Sequence, residues 1–140
     1  MIDYITPIES AIVSQLSANI LDARIDNDPQ DTRAIPKCRI LVYFSGETGN
    51  QASQNNATQR VDLDFSVDVQ LADQRINSHK NIYPYLSAVK DTLIGFSPNG
   101  ASPLRFTSNQ YQEMPDGSGV RWRYLMQFGT TTMWRASGWA

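Results

Sequence analysis

The chain predicts an α+β fold. A mixed or antiparallel sheet of roughly four strands is packed by two helices, in the order helix-strand-strand-helix-strand-strand. Three observations point there. Val61, Leu63, Phe65, Val67, Val69 and Leu71 alternate with Asp62, Asp64, Ser66, Asp68 and Gln70, and successive side chains on a strand face opposite sides. Val120, Trp122, Tyr124, Met126 and Phe128 repeat the pattern against Arg121, Arg123, Leu125 and Gln127. Two further segments space their apolar residues by the helical repeat instead.

The first of these helices carries Ile5, Ile8, Ile12, Val13, Leu16 and Ile20. Thr6 before Pro7 suggests an N-cap followed by proline in the first turn, and a helix over roughly residues 6–20. Residues 26–36, which include Asp26-Asn27-Asp28-Pro29, read as loop. Residues 39–44 read as a strand rich in β-formers. Residues 45–58 are polar with no apolar periodicity, which predicts a long mobile loop; loops of that length in a compact domain usually carry function. Glu47, Asn50 and Asn55 are its candidate partner contacts.

The second helix takes Ile82, Leu86, Val89, Leu93 and Ile94 as its stripe, with Asn81 near its start and Gly95 to end it. Pro84 must then lie in the first turn, because deeper inside it would break the hydrogen-bond ladder. Residues 96–103 form an irregular connection. Residues 104–114 make a strand, Pro115 to Gly119 a turn, and residues 120–133 its hairpin partner. Phe65, Val67, Trp122 and Tyr124 should face the helices that carry Leu16 and Leu86.

With 140 residues and a formal net charge of −2, the chain suits one domain, with residues 133–140 as an extension, and not a protein held to nucleic acid by bulk positive charge. No stretch approaches the ~20 apolar residues that cross a bilayer, and the first residues lack the regions of a signal peptide, so neither a membrane nor export is expected. The lone Cys38 excludes an internal disulfide or a Cys-cluster zinc site. Beside the apolar run that follows it, Cys38 reads as a small buried hydrophobe rather than a reactive thiol.

Asp62, Asp64 and Asp68 are the one cluster that could suggest metal or nuclease chemistry, since residues two apart on a strand share a face. The companion residues such chemistry needs are missing, so no metal, cofactor or catalytic residue is expected. The same face reads more simply as a solvated surface balanced by Arg121 and Arg123. His79 lacks a nucleophile and an orienting acid, and reads as a surface residue. Trp134, Arg135 and Trp139 are candidate subunit-interface residues, because tryptophan near a terminus needs something to pack against; for Trp134 the domain's own core competes as that partner.

One resemblance adds to this reading. Leu93-Ile94-Gly95-Phe96-Ser97-Pro98, then Gly100, Pro103-Leu104, Tyr111, and Trp122 leading to Phe128-Gly129-Thr130 resemble a family of tail proteins in Mu-like contractile-tailed phages. In weaker outline the chain is similar to the tail terminators of long-tailed phages, whose type is the minor tail protein U of phage lambda. The motifs cover residues 80–132 and are structural, so they imply a fold and a role and no active site. The resemblance implies a homo-oligomer, a hexameric ring, located in the virion at the head-proximal end of the tail and present in the host cytoplasm during assembly. Such a ring caps the tail tube protein, ends its polymerisation, and meets the neck or head-tail connector and, in contractile tails, the sheath protein. DNA would pass through without specific binding, and Asp62, Asp64 and Asp68 are then candidates to line the lumen, where like charge repels phosphate. The rival readings are a head-completion or neck adaptor and, more distantly, a small metal-dependent nuclease.

Overall fold

The computed structural model describes residues 3–31, 33–35, 37–49, 58–73, 75, 78–113 and 119–135. Helix α1 spans Ile5–Asn19 and buries Ile8, Ile12 and Leu16, one side chain per turn. It begins earlier than Thr6, and Asp3 supplies the cap: its Oδ1 accepts from the Ile5 amide at 3.0 Å and the Thr6 amide at 2.9 Å. A carboxylate just outside the helix reaches two of the amides the first turn leaves free, and it suits the positive end of the helix dipole.

Strand β1 (Arg24–Asp26) runs parallel to β2 (Cys38–Gly49), and β2 is antiparallel to β3 (Thr58–Leu71). A 3-10 turn over Ser78–Ile82 leads into helix α2 (Tyr83–Leu93), with Pro84 in its first turn. Gly95 follows at φ 86°, a left-handed conformation that glycine adopts without cost. Strand β4 (Arg105–Tyr111) forms a hairpin with β5 (Trp122–Arg135). The sheet order is β1-β2-β3-β5-β4, so β5 is inserted between the central strand and β4.

Five strands stand where about four were expected, the extra one being β1. The expected loop over residues 45–58 is also shorter: β2 continues through Gly49 and β3 begins at Thr58. Residues 50–57 lie outside the described residues. What carries this polar stretch into the sheet is the register, with Gly46 opposite Asp64, Thr48 opposite Asp62 and Gly49 opposite Val61. Pairing with a strongly alternating neighbour holds a segment that has no periodicity of its own. A bulge at Ser45 shifts the register, so Glu47 stands opposite Leu63, on the helix side. At the other end of the chain β5 extends through Trp134 and Arg135, inside the stretch expected as an extension.

The core lies between the sheet and the two helices. Ile40, Val42, Leu63, Phe65, Val67, Val69, Met126 and Phe128 meet Ile12, Leu16, Leu86 and Val89 in one cluster, with Trp122 and Tyr124 half-buried at its margin. Register explains the alignment: Phe65 pairs with Phe128, Val67 with Met126, Val69 with Tyr124 and Leu71 with Trp122. Phe65 also meets Phe44 edge to face at a centroid distance of 5.7 Å. Cys38 is fully buried, and burial pushes its thiol up to about 12, the position of a core residue. Ile94 falls outside the α2 stripe and is exposed.

Candidate functional site

Two surfaces follow from the register. The first is the sheet face turned away from the helices, where the even-numbered residues of β3 stand. Asp68 is buried there, and the Arg123 guanidinium grips it from β5: Nε donates to both carboxylate oxygens at 2.9 Å, and Nη2 to Oδ2 at 2.6 Å. That hydrogen-bonded pairing raises the Arg123 pKa. Arg39 is held in the same way by Asp26, at 2.8 and 3.0 Å, and donates also to the Asp28 carbonyl. Ser66 Oγ donates to Gln127 Oε1 at 3.1 Å, and Ser45 Oγ to the Asp64 carbonyl at 2.9 Å. Much of the polar face is thus bonded to itself.

This corrects the acidic triad. Asp62, Asp64 and Asp68 do share one face, as alternation requires, but Asp68 is closed inside an ion pair and cannot line a lumen. Asp62 accepts from Thr131 Oγ1 at 2.7 Å, and Asp64 is exposed beside Gly129. Arg123 balances the face as expected. Arg121 does not: its guanidinium lies over the Trp122 ring, 5.1 Å from the centroid. Among the described residues no three His, Cys, Asp or Glu side chains gather where a metal ion could sit.

The second surface was not foreseen. His79, Tyr83, Tyr111, Trp122 and Tyr124 form a chain of aromatic contacts with centroid distances of 5.7–6.3 Å. Trp122 Nε1 donates to Ser78 Oγ at 2.7 Å, which fixes the indole. Tyr83 is 44% and Tyr111 48% exposed, so one side of the cluster reaches solvent. The hairpin register that sets Tyr111 opposite Tyr124 was the signal available in the sequence. His79 belongs to this cluster, not to an isolated surface position.

Of the terminal candidates, Trp134 is half-buried against the domain's own core, beside Tyr4 and Val61. Arg135 is the last residue of β5, and Trp139 lies outside the described residues. Glu47, a candidate contact of the polar stretch, accepts a hydrogen bond from the Tyr4 hydroxyl, and burial together with that carboxylate pushes the phenol up to about 12. Asn50 and Asn55 lie outside the described residues.

The family profile described as Gp37 protein matches residues 12–136. The chain belongs to the Gp37 family. By structure, this Gp37 protein is similar to the sheath/tube terminator of the PVC extracellular contractile injection system in its extended state. The TM-score is 0.63 and the identity 13% over 98% of this chain, which spans 58% of the terminator's length. It is also similar to a chain from the virion of a native gene transfer agent particle, with a TM-score of 0.53 and 18% identity over 90% of this chain and 95% of that one. No curated protein matches it by sequence. What is shared at these identities is the fold, an α+β arrangement of the class expected from the sequence.

Proposed function

We propose that this Gp37 protein is a structural tail subunit, not an enzyme. In this reading it closes the head-proximal end of the tail tube as a hexameric ring, ends tube polymerisation and offers a joint to the neck and, in a contractile tail, to the sheath. The observation that carries the reading is the likeness to a sheath/tube terminator across 98% of the chain. The polar face agrees with it: its buried charges are paired, Arg39 with Asp26 and Arg123 with Asp68, and are not arranged around a substrate. A heterologous contact repeated around an axis closes into a ring. We assign that contact to the aromatic cluster, where exposed Tyr83 and Tyr111 join Trp122 and Arg121, the residue types that concentrate at subunit interfaces. Trp134 is spent on its own core.

The test mixes the purified chain with polymerising tail tube protein from the same particle and measures tube length and end structure by electron microscopy. Expected are short tubes, each with a six-membered ring at one end. A ring of another order, or tubes of unchanged length, refutes the reading. Binding to the head connector with no effect on tube length would make the protein a neck adaptor instead.

A further inference from the structure

The edge of β5 opens where β4 ends. β4 is in register with β5 from Tyr111, opposite Tyr124, to Arg105, opposite Gly129, whereas β5 continues to Arg135, paired with β3 throughout. The segment before β4 covers one position more: the Ser102 amide donates to the Thr131 carbonyl at 2.9 Å, and the Thr131 amide to Ser102 Oγ at 2.8 Å. Main-chain groups along a strand point alternately to its two sides. The amide and carbonyl of Met133, two residues beyond Thr131, therefore face the same open side. Among the described residues no strand or turn pairs with them there.

The polar face of the sheet is concave beside this edge. On the polar face a cleft of about 600 Å³ is lined by Arg60, Asp62, Ser102, Arg105, Thr131 and Met133. Arg60 and Arg105 are exposed and form no ion pair among the described residues. Asp62, the one carboxylate among the described residues that line the cleft, already accepts the Thr131 hydroxyl. Met133, on the edge itself, is 55% exposed.

We propose that residues 132–135 of β5 are a strand-addition site for an extended segment of another protein that carries acidic residues at alternate positions. Its main chain pairs with the Met133 amide and carbonyl. Its acidic side chains lie over Arg60 and Arg105. A strand added to a sheet edge takes affinity from main-chain hydrogen bonds and specificity from alternate side chains, and here the polar face asks for acidic ones. The pairing is a property of the single subunit and does not depend on ring formation.

The test titrates the full chain, by calorimetry, with a capped octapeptide of alternating Val and Asp. Expected is saturable binding that is lost when alternate peptide amides are N-methylated and when Asp is replaced by Lys. Replacing both exposed arginines, Arg60→Gln with Arg105→Gln, should weaken binding about three- to tenfold. Met133→Pro removes an amide that serves no internal ladder and should weaken it about two- to tenfold. The N-methylated peptide needs no variant, so a Met133→Pro chain that fails to fold leaves the decision to that arm. Equal binding of the Lys peptide overturns the proposal, as does undiminished binding of the N-methylated one, or no binding at millimolar peptide. Self-association through this edge with no peptide binding would assign it to a second copy and overturn it too.

Discussion

Removing Asp68 should unfold the chain more easily, and the structure sets the size of the effect. Its side chain retains 2% of its exposure, while that of Arg123 retains 27%. Deleting one member of a fully buried ion pair costs about 3–5 kcal/mol, because the survivor is left charged and unpartnered in a dry site. Arg123 can still turn its guanidinium toward water, so Asp68→Ala should cost less, about 2 kcal/mol. For a chain of this length that lowers the melting temperature by about 6–8 °C. Replacing both members with apolar residues of similar size, Asp68→Leu with Arg123→Met, should return stability to within about 1 kcal/mol of the parent, since the desolvation cost of both charges disappears together. Urea unfolding of the parent, the Asp68→Ala variant and the double variant measures the free energies, and thermal unfolding the melting temperature. A single variant as stable as the parent, or a double variant no better than Asp68→Ala, would mean that the pair does not carry the polar face.

Two further outcomes follow from the same structure. Phe65→Ala, at a fully buried position between Phe44 and Phe128, should cost about 3–5 kcal/mol; an unchanged denaturation midpoint would place the core on the other face of β3. Hydrogen bonds hold Asp3, Asp31 and Asp73 below the usual carboxylate range, from the Thr6 side chain, from Arg33 and from Arg75 respectively. A carboxyl whose folded pKa is depressed contributes stability that is complete above its unfolded value of about 3.9 and is lost as pH falls through the folded value. Stability should therefore hold from pH 7 to about 5 and fall below about 4; Asp73→Asn should flatten that fall, and a pH profile identical to the parent's would show that Asp73 contributes nothing to it.

The sequence made β3, β5 and both helices legible because each buries one face and so writes its period into the residue order. β1 was not legible. Three residues hold too little pattern, and Arg24, Ile25 and Asp26 become a strand only in register with Arg39, Ile40 and Leu41. The far half of β2 was hidden for a related reason, since Ser45 to Gly49 take their extended form from β3. The acidic face was placed correctly, yet whether a given aspartate is free or buried depends on what stands opposite, and only the register that aligns Gln70 with Arg123 brings that arginine over Asp68. The aromatic cluster went unnoticed because its members come from three separate segments, each with an ordinary structural reason to carry its ring.

The insertion of β5 between β3 and β4 bears on how the molecule is made. β3 and β5 pair Leu71 with Trp122 and Thr58 with Arg135, so the central ladder joins residues far apart in the chain, and such pairings close slowly. β5 leaves the ribosome after every other strand of the sheet, and until it docks the alternating edge of β3 is bare and β4 has no neighbour. The nascent subunit therefore passes through a stage with an unpaired, apolar-faced strand open to any other extended chain, a form prone to aggregate. Subunit yield in the cell should then be governed less by the stability of the finished fold than by the time before the last strand slots home.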